Sequence, residues 1–244
     1  MNGRYIYIGS YSGTPGIGRA VFYVELIYID LKSSHGYAIL THKVTVYMPF
    51  NLVYVDSPHG GMDGGCSSAA GVPEKGINLN ILLNLRDLLS VSGYEVVVTR
   101  DTDRSIHDSG IEGIANQKSS DMDNRLAIFN ERSNAVCISI HQNQFTDPKY
   151  SGAQMFYAPT NKDSERLAQK LQGSFHTRLQ PDNDREIKQC GKELFLCYFS
   201  KNPTVMVECG FLSNPEEAAR LTDEAYQRQV AFTIYAGLQE YLAG

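Results

Sequence analysis

From Asn51 onward, short runs of β-branched and aromatic residues alternate with longer stretches of helical periodicity, and this alternation limits the chain to layered α/β folds. Val53–Val55 is the first such run, and Asp56 closes it. A glycine-rich loop follows (Gly60, Gly61, Gly64, Gly65, Gly71), and Pro73-Glu74 opens a helix with Ile77, Ile81, Leu82, Leu85, Leu88 and Leu89 on its apolar face. Gly93 ends that helix. Tyr94–Thr99, Ala135–Ile140, Gln154–Tyr157, Glu193–Phe199 and Thr204–Val207 read as further strands, for about six in all. Helices are predicted over Asp123–Arg132, Asp163–Leu179 and Glu224–Tyr241, with a polar loop over Arg100–Ser120. The expected architecture is a single α/β domain over 51–243, built on a mostly parallel sheet flanked by helices. Residues 1–50 are tyrosine- and glycine-rich without a capped helix; they read as an N-terminal extension of poorly defined order, with strand-like pieces at Val21–Leu31 and Lys43–Tyr47.

The chain has 244 residues, 42% of them hydrophobic, enough to bury a full core. A formal net charge of -5 gives no electrostatic footprint for nucleic acid. Cys66, Cys137, Cys190, Cys197 and Cys209 are odd in number and contain no Cys-x-x-Cys pair, so neither a zinc knuckle nor a disulfide framework is expected. No apolar run reaches the length of a transmembrane helix, and no export signal is visible.

Three strands share one design. Val53–Val55 leads to Asp56 and His59, Val136–Ile140 to His141, and Val205–Val207 to Glu208. Parallel strands would gather these ends on one sheet edge, where open α/β sheets bind ligands. Two histidines, with Glu74 at a helix start, make a ligand set of the kind that holds a catalytic zinc, and Glu208 is left as a free acid for proton transfer. Each residue also has an ordinary explanation. His59 suits a turn, Glu74 suits the positive end of a helix dipole, and His141 suits a satisfied core position. Glu208, between Val207 and Cys209, is the hardest to explain away, because a carboxylate in an apolar run is costly unless paired, coordinated or catalytic. His35 and His42 lie in the extension, His107 in a polar loop and His176 at a solvated or edge position of an amphipathic helix, and none is chosen as a ligand.

Asp56–Gly61, Pro73-Glu74-Lys75-Gly76-Ile77-Asn78-Leu79, Ser139-Ile140-His141-Gln142-Asn143 and Val207-Glu208-Cys209-Gly210-Phe211-Leu212-Ser213-Asn214 occur in the order seen in a known family. Over 51–243 the chain resembles the zinc-dependent N-acetylmuramoyl-L-alanine amidases with a type 3 catalytic domain, most closely the spore-cortex and cell-wall amidases of Firmicutes. The resemblance implies one Zn2+ per chain on His59, Glu74 and His141, with Glu208 as catalytic acid/base. It implies hydrolysis of the amide joining N-acetylmuramic acid to L-alanine in peptidoglycan or muropeptides, a cell-envelope or extracellular location, and room for an activating protein partner. Arg100 with Asp103, Arg125 with Asn130, and Asn143 also match the family pattern; they are expected to order loops, support the ligands or touch substrate. The alternatives are a non-catalytic peptidoglycan-binding relative and a zinc exopeptidase-like hydrolase acting on free peptides. One departure stands out. The family's Asp-x-Gly-His-Gly-Gly is here Asp56-Ser57-Pro58-His59-Gly60-Gly61, and a proline, with φ fixed and no N–H, is expected to disturb the approach to His59.

Overall fold

The computed structural model describes residues 4–11, 20–29, 38–46 and 51–243. The chain forms two compact units, 1–49 and 50–244. In the first, strands β1 (Arg4–Tyr11), β2 (Ala20–Ile29) and β3 (Ala38–Val46) pair antiparallel in the order β1-β2-β3.

The second unit is an α/β layer. Its strands are β4 (Leu52–Asp56), β5 (Glu95–Val98), β6 (Ala135–Asn143), β7 (Gln154–Tyr157), β8 (Lys188–Gln189) and β9 (Thr204–Phe211). They line up as β5-β4-β6-β9-β7-β8, and only the β7–β9 pairing is antiparallel. The helices are α1 (Glu74–Val91), α2 (Ile114–Phe129), α3 (Asp163–Arg178), α4 (Phe195–Phe199), α5 (Pro215–Leu221) and α6 (Glu224–Leu242). The central strands β4 and β6 are covered on both faces and so read as near-continuous apolar runs. Tyr54, Ala135 and Cys137 pack with Phe129 and Leu196 on the α2–α4 side. By the two-residue period of a strand, Val53, Val55, Val136 and Ile138 point to the other layer. α1 contributes Ile77, Ile81, Leu82, Leu85 and Leu89, all nearly or fully buried. At about 1.5–3 kcal/mol for each side chain removed from water, this face is the main reason α1 holds its position.

Three expectations change. Glu193–Phe199 does not form a strand: Phe195–Phe199 is the short helix α4, which buries Leu196 and Cys197. A short apolar run does not distinguish a buried strand from a buried helical turn, and the sheet edge is taken instead by Lys188–Gln189, paired with Phe156 and Tyr157. The helix expected over Asp123–Arg132 spans Ile114–Phe129, because its buried stripe is Asp121, Arg125 and Phe129, which carries almost no apolar periodicity. β6 and β9 run on past His141 and Glu208, so both residues lie within their strands, beside a register shift at His141/Asn143.

Candidate active site

The site begins with the loop that leaves β4. Asp56, fully buried, accepts from Thr99 Oγ1 (2.7 Å), Ser139 Oγ (2.6 Å) and Arg125 Nη1 (2.5 Å). Burial pushes its carboxyl upward, but Arg125 with the two hydroxyls outweighs this and holds it below the usual range. Asp56 is therefore a structural hub that ties β4, β5, β6 and α2 together. Arg125 also bonds Asp121 (2.6 Å) and donates to the carbonyls of Ser57 (2.7 Å) and His59 (2.9 Å). Arg100 donates to the carbonyls of Ser57 (2.8 Å), Pro58 (3.1 Å) and Lys75 (2.7 Å). Two buried guanidiniums thus hold three successive carbonyls of the loop. Under this clamp His59 adopts φ +62°, a conformation that ordinarily favours glycine. The loop containing Pro58 is fixed by charge-assisted hydrogen bonds, and it brings His59 to the cluster described below.

Asp103 closes the same loop from outside, accepting from Gly61 N (2.8 Å) and from Lys75 Nζ (2.7 Å). The glycine-rich segment then folds back on the start of α1. Pro73 provides no side-chain cap, and the free N–H groups of Glu74 and Lys75 donate instead to the carbonyls of Cys66 (2.8 Å) and Gly64 (3.1 Å).

This fold-back turns Glu74 toward the two histidines. Glu74 Oε1 lies 3.6 Å from His59 Nε2 and 3.3 Å from His141 Nδ1. One ligand atom from each of the three residues lies within 4.8 Å of the other two. The carboxylate is held by Asn78 Nδ2 (3.0 Å), Gln142 N (3.2 Å) and Cys66 N (2.9 Å). Although burial favours its neutral form, the two imidazoles keep it well below the usual carboxylate range. The imidazole of His141 is pulled down by burial and pushed up more strongly by Glu74 and Glu208. His59 Nδ1 meets Asp63 Oδ2 at 2.8 Å, leaving Nε2 for the cluster, and Asp63 is itself paired with Lys118 (2.9 Å). A carboxylate behind a ligating imidazole fixes its tautomer and orientation. No sequence signal singles out Asp63, since His59-x-x-x-Asp63 crosses a loop with no helical or strand period.

Glu208 stands beside the cluster. β6 and β9 pair His141 with Glu208 directly. Glu208 Oε2 is buried and, among the described residues, has no hydrogen-bond partner. Burial raises its carboxyl to about 7; His141 and Arg185 work against that rise and Glu74 adds to it. A carboxyl poised near neutrality can both take and return a proton. Of the remaining residues with expected roles, Arg100, Arg125 and Asp103 are loop clamps. Asn130 caps the end of α2 and accepts from Lys201 N (2.8 Å). Asn143 lines a cleft beside Phe145, Tyr150 and Phe211. His107 bonds Ser105 and His176 the Asn183 carbonyl, outside the cluster. All five cysteines are free thiols.

Two clefts lie near this centre, the first lined by His59 and His141, the second by Asn143 and by Gln154, the strand partner of Glu208. One, of about 340 Å³, is apolar and includes Pro58, His59, Met62, Ile114, Met122 and His141. The other, of about 290 Å³, is aromatic and basic.

A parallel α/β sheet with two imidazoles and a carboxylate gathered at its edge, beside an acid poised near neutrality, is the layout of a metal-assisted hydrolase. The chain belongs to the N-acetylmuramoyl-L-alanine amidase family, whose profile matches residues 53–240, and it is therefore a hydrolase. It is 33% identical over 190 residues to the germination-specific N-acetylmuramoyl-L-alanine amidase of Bacillus subtilis, covering 78% of this chain and 79% of that one. The solved CwlD amidase of Clostridioides difficile, in complex with the GerS lipoprotein, superposes with a TM-score of 0.76 at 36% identity over 79% of this chain and 98% of that one. An N-acetylmuramoyl-L-alanine amidase of Clostridium difficile 630 gives 0.69 at 30%, over 80% and 98%. Among the described residues, no helix is long and apolar enough to cross a membrane.

Proposed function

We propose that the chain hydrolyses the amide between the lactyl group of N-acetylmuramic acid and the L-alanine of the stem peptide, with His59, Glu74 and His141 holding one zinc ion and Glu208 as acid/base. The donor chemistry fits the ion: two imidazoles and a carboxylate kept ionised, a set that leaves a coordination position open for catalysis. A bound zinc would supply Lewis acidity toward a carbonyl oxygen and lower the pKa of a water toward ~7. The chain's own residues do the rest. Glu208 Oε2 accepts the proton of the attacking water and returns it to the departing L-alanine amine. Asn78, Gln142 and Cys66 keep Glu74 aimed at the centre, and Asp63 orients His59. Arg100 and Arg125 prevent the Pro58 loop from relaxing away.

The observation that carries this reading is the placement of the unpartnered Glu208 oxygen one strand over from a preformed His–Glu–His cluster. The expected result for Glu208→Gln is unchanged zinc content with release of stem peptides from muropeptides abolished; persistent release at the wild-type rate would remove Glu208 from its assigned role. On this reading the enzyme works on the cell envelope. Similarity to a germination-specific amidase, and to one solved with a lipoprotein, extends the reading to spore-cortex peptidoglycan and to a protein partner.

A further inference from the structure

The geometry points to the cleft around Arg185 and Lys188 as the subsite for the peptide arm of the substrate, reading its free carboxylates. This inference rests on the amidase reading and extends it.

The sheet order supplies the argument. Across the edge, His141 lies on β6, Glu208 on β9 and Gln154 on β7, with Gln154 paired directly to Glu208. Arg185 donates from Nε (3.2 Å) and Nη2 (2.6 Å) to Gln154 Oε1, and its guanidinium lies 4.9 Å from the Phe211 ring centroid. The backbone N–H of Arg185 donates to Asn183 Oδ1 (3.0 Å), and the Glu186 carbonyl accepts from Gln154 Nε2 (2.7 Å), so the segment is tied down on both sides of the arginine. Lys188 follows at the edge strand and lines the same cleft, with Phe145 and Tyr150 on its exposed wall. Among the described residues neither cation forms a salt bridge, in a chain whose net charge is -5. A held guanidinium whose charge reaches Glu208 and Glu217 only at a distance, with no carboxylate in salt-bridge contact, beside a second cation, fits a carboxylate ligand better than a neutral one.

The two arms of the substrate differ in charge. The glycan arm carries hydroxyl and acetamide groups, and its lactyl carboxyl is used up in the scissile amide. The peptide arm carries free carboxylates. With the amide at Glu208, the cleft on the β7–β8 side, whose cations have no carboxylate in salt-bridge contact, matches the peptide, and the cleft on the β4–α2 side, where Met62, Ile114 and Met122 sit with a Lys118 already paired to Asp63, remains for the sugar.

The test compares two muropeptides that differ only in whether the stem α-carboxylate next to L-alanine is free or amidated. Wild-type enzyme is expected to favour the free acid in kcat/KM by about tenfold or more, the scale of a lost charge-assisted hydrogen bond. In the Arg185→Gln/Lys188→Gln double variant that ratio should fall toward one, with zinc content and far-UV circular dichroism unchanged. Arg185→Lys should keep part of it. Removing Arg185 also alters the field at Glu208, but this acts on both substrates alike and cancels in the ratio. A wild-type enzyme with no preference, or a double variant that keeps the wild-type ratio, overturns the assignment. Failure of the wild type to release either stem overturns the amidase reading, and this subsite with it.

Discussion

At the scale of single residues, the centre sets stability against chemistry. Glu208 is raised to about 7 from its ordinary 4.5 because burial penalises its charge. The sign follows directly. The folded state holds this proton more tightly than the unfolded one, so the residue's contribution to stability is full below pH 4.5 and is lost as pH rises through about 7. In chelator-treated protein, Glu208→Gln cannot ionise. Its Tm should match the wild type near pH 4 and exceed it by several degrees at pH 8, at about 2–4 °C per kcal/mol for a chain of this size. Thermal scans across that range check it, and a pH-independent difference would contradict it. Gly65 is the second sensitive residue. It has φ +70°, and a Cβ there would lie 2.7 Å from both Glu74 Oε2 and His59 Cδ2. Gly65→Ala should weaken metal binding about tenfold or more, as disturbed ligand support does elsewhere, measured by metal titration of the stripped protein.

At the scale of elements, the Asp56–Arg125–Asp121 network joins β4 to α2. The carboxyl of Asp56 is held below its ordinary 3.8, so the network stabilises fully above that value and weakens as pH falls below it. Asp56→Asn leaves Arg125 buried at a neutral neighbour and should cost about 3–5 kcal/mol in urea denaturation, with a shallower loss of stability on acidification than the wild type shows. The same network explains why α2 begins nine residues before its apolar periodicity predicts, at Ile114 rather than Asp123. Its buried stripe, Asp121-Arg125-Phe129, faces the site through ion pairs, and only Phe129 carries the apolar signal that reveals a helix. α4 escapes a sequence reading for the opposite reason: Leu194 to Phe199 is so apolar that its period carries no information.

At the scale of the whole molecule, residues 50–244 form a compact unit around both helix layers, and 1–49 form another. A unit of that size buries enough surface to fold alone. The fragment 51–244 is expected to unfold in one cooperative transition and to keep stem-peptide release within about twofold of the full chain, the two-state behaviour of a single domain. Calorimetry and a muropeptide assay test this, and loss of the transition would show that the first 50 residues complete the fold.

The α/β alternation, α1 with its apolar face, and the candidacy of His59, Glu74, His141 and Glu208 are all legible along the chain. Each of these is written locally, in a period of 2 or 3.6, a Pro-Glu helix start, or a polar side chain set in an apolar strand. It takes the folded chain to show that Asp63 stands behind His59, that Arg100 and Arg125 hold the Pro58 loop, and that Arg185 is bonded to Gln154, the strand partner of Glu208. Those relationships join residues far apart in the chain or on opposite sides of a glycine-rich loop. They depend on strand order and register, which no local period encodes.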